Sequence, residues 1–362
     1  MSEGAAQRDL PARLARVIAM QGPISLTAWM GEANASYYSS RDPFGQGGDF
    51  ITAPEISQMF GEMVGIWMAD VWARAGRPER VLYVEPGPGR GTLARDALRV
   101  MARFGLVPVV HLVEPSPALR AVQAGAVPGA IWHDDLSSVP EDAPILLVAN
   151  ELLDALPVRQ IVRAAAGWRE RMVALAGEEG QTRFVPVAGS NPMDPAVRPQ
   201  WRDAPEGTII EICPAAAAVM GEIGGRLAAQ GGAALVIDYG YGAPQTGSTL
   251  QALRNHAHAD PFATPGEADL TCLVDFAAAA GAAAARGARV SGLSGQGAWL
   301  GSLGIEARAQ ALAKASPAHG EAVAAALHRL IAPEQMGELF KVLGLAGGDW
   351  PDGAGFAGTP PA

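Results

Sequence analysis

Cysteine is scarce. Cys213 and Cys272 are the two thiols in 362 residues, too few for a disulfide framework or a four-Cys zinc site. No stretch reaches the roughly 18 uninterrupted apolar residues that a membrane-spanning helix requires. Basic charge is short as well: 27 Lys and Arg stand against 37 Asp and Glu, a net charge of −10. That balance argues against nucleic acid as a partner, since its binders usually carry a basic face. The first sixteen residues mix Glu3 and Asp9 with arginines and lack an apolar h-region, so no secretory signal is expected. With few thiols and no export signal, the expected compartment is reducing, the cytoplasm by default. What is abundant is apolar residues, 49% of the chain. That is enough for a large core, in two domains or in one α/β domain with insertions.

The pattern along the chain sets the organisation. Helical spacing is expected over 8–21, 25–36 and 55–75, with a Gly, Ser and Asp-rich loop over 37–52. Apolar runs then alternate with helices at 81–85, 109–113, 129–132, 145–149, 234–238 and 288–293, the mark of a parallel sheet covered on both faces. Short strand-like segments over 157–212 break the rhythm as an antiparallel insertion, and 240–271 reads as loop. A last strand at 340–345 is expected to enter antiparallel. The division is therefore a helical N-terminal region with a lid loop (1–76), an α/β domain with two insertions (77–346), and a flexible Gly/Pro-rich tail (347–362).

The strongest local signal is VLYVEPGPGRGTL at 81–93. Gly87, Gly89 and Gly91 let backbone approach a ligand with no Cβ in the way, and the helix start supplies free N–H groups. A dinucleotide fingerprint needs its third glycine at position 92, where this chain has Thr92. That disfavours a nicotinamide-dependent oxidoreductase. The pattern acid-x-G-x-G-x-G, led by Glu85, resembles motif I of class I S-adenosylmethionine (SAM) methyltransferases. There the strand-end acid faces the amino group of the methionine moiety.

Glu114 ends the second strand, where an acid can accept hydrogen bonds from both ribose hydroxyls. After the third strand, His133-Asp134-Asp135-Leu136 occupies the place of an adenine-contacting acid, with Asp134 favoured over Asp135. Either aspartate is also a plausible helix cap. The fourth strand runs into Asn150-Glu151-Leu152-Leu153-Asp154. In open α/β sheets ligands sit beyond the carboxyl ends of strands at the switch point, so Asn150, Glu151 and Asp154 point to where a methyl group would leave sulfur. Two carboxylates there suit a cationic or proton-releasing nucleophile. The Asn-Pro-Pro-Tyr or Asp-Pro-Pro-Tyr signature of amide and adenine N-methyltransferases is absent at this position.

Several blocks together resemble one family, the MidA-type methyltransferases, whose eukaryotic members are mitochondrial complex I assembly factors with protein-arginine methyltransferase activity. They are GDFITAPEISQMFGE at 48–62, the glycine loop, 150–157, IDYGY at 237–241, PGEADLT at 265–271, VDF at 274–276 and QMGELFKVL at 335–343. The resemblance implies a Rossmann-like seven-stranded mixed sheet with a helical N-terminal part and inserted lid elements. It implies SAM as methyl donor, S-adenosylhomocysteine as product, and an arginine on a protein partner, a respiratory complex I subunit, as acceptor. Glu151 and Asp154 match the family motif and are the expected catalytic pair. Glu85, Gly87, Gly89, Gly91, Thr92, Glu114, Asp134, Leu136, Asn150 and Thr52 are the expected cofactor residues. Asp49, Phe50 and Glu55 match the first block and are expected to serve as lid or substrate contacts, with helix packing as the alternative. His256 is assigned to a substrate loop or to packing, and no metal site is expected because His256 and His258 alone make a weak ligand set.

Two rival functions remain open at this level. One is a methyltransferase for a small molecule or RNA built on the same cofactor site. The other is a SAM-binding assembly chaperone with little turnover, against which the intact acids Glu85, Glu114, Glu151 and Asp154 argue.

Overall fold

A computed structural model of the chain describes residues 10–40, 52–177, 183–254 and 257–356. The chain opens with α1 (Leu10–Gln21), the two-residue strand β1 (Ile24–Ser25), α2 (Leu26–Ser40), α3 (Ala53–Ile56) and α4 (Gln58–Arg74). Then come β2 (Leu82–Pro86), α5 (Thr92–Arg103), β3 (Val109–Val113), α6 (Pro117–Ala126), β4 (Ile131–His133) and β5 (Ile145–Asn150). The first insertion carries β6 (Arg159–Ala164), β7 (Gly167–Ala176), β8 (Arg183–Pro192) and β9 (Ile209–Ile212). Beyond it lie α7 (Pro214–Gln230), β10 (Gly232–Tyr241), β11 (Gln251–Arg254), β12 (Ala257–Ala259), β13 (Asp269–Thr271) and β14 (Val274–Asp275). The chain closes with α8 (Phe276–Ala284), β15 (Arg289–Gly295), α9 (Gln296–Ser302), α10 (Ile305–Ala315), α11 (Gly320–Ile331) and β16 (Phe340–Gly347).

The main sheet runs β15-β16-β10-β5-β2-β3-β4. Strands β2 to β5 and β10 are parallel neighbours, and β16 is antiparallel to both β10 and β15. Strand order reverses between β2 and β5, which opens the ligand crevice at their carboxyl ends. Side chains alternate between two covered faces. Tyr83, Leu146, Val148, Leu235 and Ile237 pack on one side with Phe60, Trp67, Leu93 and Ala97 of α4 and α5. Leu82, Val84, Ile145, Leu147 and Val236 pack on the other with Met220, Ile223 and Phe276 of α7 and α8. Helix α4 lies directly on α5, where a Cβ at Gly65 would stand 2.5 Å from the Ala97 carbonyl. A third core joins Leu10, Leu14, Trp29 and Met30 of α1 and α2 to Val158, Val173 and Leu270 of the insertions.

The expected mixed sheet is present, with an eighth, two-residue strand β14 added beside the end of β10. The antiparallel insertion is a five-stranded sheet of β1, β7, β6 and β9 with β8 on β7. Other expectations need correction. The stretch over 240–271 is not plain loop: β12, β11 and β13 pair as a small antiparallel sheet, whose three- and four-residue strands give too short an alternation to read. The helix expected over 55–75 is broken at Ser57, which is extended and whose hydroxyl accepts the Met59 N–H at 3.2 Å. Residues 347–356, expected to be flexible, lie against the core. Trp67 donates from its indole to Ala354 at 3.1 Å, and Phe356 meets Trp67 edge-on at 6.5 Å.

Asn34 of α2 ties the N-terminal helices to the crevice. Its buried amide donates to the carbonyls of Ala155 (3.0 Å) and Leu270 (2.8 Å) and accepts the Leu270 N–H (3.0 Å). Truncation to alanine leaves these backbone groups without that partner, and a buried unsatisfied group costs about 1–3 kcal/mol. N34A should therefore lower unfolding stability by about 2–4 kcal/mol, measured by denaturant melts. An unchanged midpoint would mean that water or a neighbour replaces the amide.

Candidate active site

The glycine loop follows β2 without interruption. Gly87, Gly89 and Gly91 have φ of +66°, +52° and +79°, the left-handed region in which a side chain is strained. Gly91 also sits where a Cβ would come within 3.3 Å of Ala126 on α6, so this glycine is needed for helix packing too. Glu85 is buried beneath the loop, and the Tyr83 hydroxyl donates to its carboxylate. Burial raises the Glu85 carboxyl to about 8, against a smaller lowering by the tyrosine hydrogen bond.

Glu114 is also buried. Its Oε1 accepts the Ser116 N–H at 2.8 Å, and Gln123 donates to Oε2 at 3.4 Å. Desolvation pushes this carboxyl up. Gln123, on the inner face of α6, also donates to the Gly89 carbonyl (2.8 Å) and accepts from the Trp132 indole (2.9 Å). It joins the glycine loop, the β3 acid and the β4 end, and nothing in the sequence pattern marks it.

Asp134 lies at the surface, paired with Arg120 at 2.5 Å. Asp135 accepts the Ser138 N–H at 3.1 Å and the Ser137 hydroxyl, capping a single turn. Leu136 turns its side chain into the apolar cluster under α7, and its carbonyl accepts from the buried Arg226 at 2.7 Å.

The turn after β5 holds the acids. Asn150 donates to Glu151 Oε1 at 3.1 Å, while its own Oδ1 is buried without a hydrogen-bond partner. Glu151 is a non-glycine residue with φ of +51°, a conformation that costs about 1 kcal/mol or more and gathers at functional sites. Its N–H is anchored to the Ile237 carbonyl at 2.8 Å. Asp154 is buried, with the Tyr239 hydroxyl 2.5 Å from Oδ2 and with Oδ1 partnerless. Burial, joined by the charge of Asp154, raises Glu151 to about 7. Burial raises Asp154 to about 6, offset by the Tyr239 hydrogen bond. Asp238, at the end of β10, is fully buried behind them and pushed well above the usual carboxylate range by desolvation, then by Asp154 and Glu151.

Helix α3 reaches both halves of the crevice. The Thr92 hydroxyl donates to Glu55 Oε1 at 2.6 Å, and the Ala53 N–H donates to Glu151 Oε1 at 3.3 Å. Thr52 caps this helix in extended conformation and accepts the Glu55 N–H at 2.9 Å through its carbonyl. Asp49, Phe50 and His256 lie outside the described residues. Arg254, in the segment next to His256, pairs with Glu267 at 2.7 Å on the surface. Among the described residues no group of three or more His, Cys, Asp or Glu is arranged to hold a metal ion. No helix among them is long and apolar enough to cross a membrane.

Comparison with known proteins bears on this arrangement. Residues 63–294 match the model of a family described as "Putative S-adenosyl-L-methionine-dependent methyltransferase". The chain belongs to this family. It is a SAM-dependent methyltransferase of the class I, Rossmann-like fold. A Drosophila melanogaster protein, "Protein arginine methyltransferase NDUFAF7 homolog, mitochondrial", is 35% identical over 93% of this chain and 84% of its own length. The human "Protein arginine methyltransferase NDUFAF7, mitochondrial" is 34% identical over 90% of this chain and 80% of its own. A Burkholderia thailandensis crystal structure with S-adenosyl-homocysteine bound superposes with a TM-score of 0.82 at 31% identity, covering 95% of this chain and 93% of that one.

SAM is the cofactor of this methyltransferase, and the crevice residues suit it. The left-handed glycines leave room where a Cβ at Gly87 would meet Leu152 at 3.1 Å. Glu85 and Glu114 offer carboxylates beneath and beside that loop, and the orphaned Asn150 Oδ1 asks for a donor.

The acids of the crevice have a measurable consequence. Glu85, Glu151 and Asp154 keep protons in the fold at pH values where the unfolded chain has lost them, so their contribution to stability falls as pH rises from about 4.5 towards 8, against the opposite contribution of His111 and His133. The E151Q variant, which cannot ionise there, should lose less stability than wild type between about pH 5 and pH 8 in ligand-free melts. Parallel stability curves for the two proteins would contradict this.

Proposed function

We propose that this methyltransferase transfers methyl groups to an arginine side chain of a protein partner, with Glu151 and Asp154 as the catalytic pair. One observation carries the reading: the half-buried Glu151 and the buried Asp154 are neighbours, with the buried Asp238 behind them, and no cationic side chain is hydrogen-bonded to them among the described residues. A guanidinium is effectively always protonated in water and binds carboxylates through a planar fork of donors. Entering this crevice, it supplies a positive charge in hydrogen-bond contact with the acids and draws their protons off. Glu151 and Asp154 then hold it in place and accept the proton released as the new N–C bond forms. When bound, SAM supplies an electrophilic methyl group on its sulfonium. The names of the Drosophila and human relatives support arginine as the acceptor.

In this reading Glu85 faces the methionine amino group, Gly87, Gly89, Gly91 and Thr92 form the cradle, and Glu114 holds the ribose. Asp134 contacts the adenine side with Leu136, while Asn150 and Thr52 border the methyl-donor region. Asp49, Phe50, Glu55 and His256 serve the lid or the substrate. The domain boundaries are those read from the sequence, 1–76 and 77–346, except that 347–356 is not a separate tail: Gly347 ends β16, and Ala354 and Phe356 lie against Trp67. The partner is a protein, with a complex I subunit as the candidate that the resemblance supplies. Two free cysteines suit a reducing compartment, the bacterial cytoplasm or the mitochondrial matrix.

Incubation of the purified protein with methyl-labelled SAM and cell extract, followed by peptide mapping, should place label on arginine. Label on RNA or a metabolite, or tight SAM binding with no label at all, would replace this reading with one of its rivals. On the arginine substrate, the E151Q/D154N double variant should lose about a hundredfold or more in kcat, while SAM affinity by calorimetry changes less than about threefold. Full turnover by the double variant would remove both residues from the chemistry.

A further inference from the structure

Asp238 and Tyr239 are consecutive at the carboxyl end of β10, and both reach the acid turn. Asp238 Oδ2 accepts the N–H groups of Leu153 (2.9 Å) and Asp154 (3.2 Å), and its Oδ1 accepts the N–H of Tyr239 (2.9 Å). The Tyr239 hydroxyl donates to Asp154 Oδ2 at 2.5 Å. The Tyr239 ring is fixed from the other side by Phe340, with centroids 5.4 Å apart. What remains of Asp154 is one oxygen, Oδ1, buried and without a partner. An isolated buried acceptor costs free energy, and a donor on a ligand in the crevice would complete this one.

We propose that Asp238 and Tyr239 are positioning residues of the methyl-transfer site: Asp238 fixes the 151–154 turn through backbone N–H groups, and Tyr239 occupies one oxygen of Asp154 so that the other alone receives the substrate proton. The inference rests on the arginine reading above and names how that site is held. A tyrosine donor on the carboxylate stabilises its charged form. It also stops Asp154 from turning its second oxygen to the guanidinium, so the nucleophile is held in one pose rather than two. Of the surrounding ionisable groups, Glu151 shares the turn and Asp238 lies behind it. Tyr38 approaches from α2 and Cys272 from the end of β13, while Arg329 of α11 acts on Glu151. None of these replaces the hydroxyl that Tyr239 supplies.

Y239F keeps the ring and removes the donor. The difference in unfolding stability between a protein and its D154N counterpart, followed against pH, gives the Asp154 titration without any methyl transfer. In the Y239F background this titration should move up by about one pH unit. The acid limb of the kcat profile should move with it, with kcat at neutral pH down about tenfold and KM for the protein substrate changed less than about threefold. A merely structural tyrosine would leave the titration and the acid limb in place, and that result overturns the assignment. D238N, checked for folding by its SAM affinity, should lower kcat by a similar factor, and wild-type kcat in that variant would overturn the role of Asp238. If wild type labels no arginine, the arginine reading fails, while the Asp154 titration still decides whether Tyr239 governs that acid.

Discussion

A carboxylate moved from water into a protein interior loses hydration worth several kcal/mol unless charge or hydrogen bonds replace it. This chain buries Glu85, Glu114, Asp154 and Asp238 at the carboxyl ends of one sheet, with Glu151 beside them. It compensates each of them with neutral donors: a tyrosine hydroxyl, an asparagine amide or backbone N–H groups. Contrast Glu62 on α4, equally buried but bound by two guanidinium nitrogens of Arg308, Nε and Nη2, at 2.6 and 2.8 Å. That acid is already satisfied and serves the fold. The strand-end acids have no guanidinium hydrogen-bonded to their carboxyls among the described residues.

Everything around the crevice serves to hold that arrangement. The parallel core supplies rigid strand ends, and the switch between β2 and β5 leaves the gap between them. Helix α3 then closes one side by touching Thr92 on the cofactor half and Glu151 on the acid half through residues only two apart. A shift at either half is therefore felt at the other through a single turn of helix. Asn34 does the same for the opposite rim, joining α2 to the Ala155 backbone and to β13.

The regular parts of this architecture were open to reading because their signals are local. Apolar runs of strand length, helices between them and three glycines after an acid need only neighbours in sequence, and the strands lie within a few residues of the expected places. Contacts over long separations were not open in that way. Gln123 is an ordinary helix residue until the fold brings Gly89, Glu114 and Trp132 around it. Asp238 stood in a recognised block without a role, because its partners at 153 and 154 lie some 85 positions away. The left-handed backbone at Glu151 had no signal, since glutamate is not a residue that foretells it. The ion pair of Asp134 with Arg120, fourteen positions earlier, was likewise without a local signal.

The place of β16 carries a consequence for biosynthesis. This strand fills the space between β10 and β15, yet β15 ends at Gly295 and β16 begins only at Phe340. On the ribosome, β10 and β15 emerge as two unpaired edges with nothing to join them. At about 5–20 residues per second, the gap lasts roughly 3–10 s before Gly347 is made. Unpaired apolar edges are templates for aggregation, so the nascent chain passes through a window in which holdase chaperones compete with self-association. β16, the last of the described strands to be translated, is the one through which β15 joins the sheet.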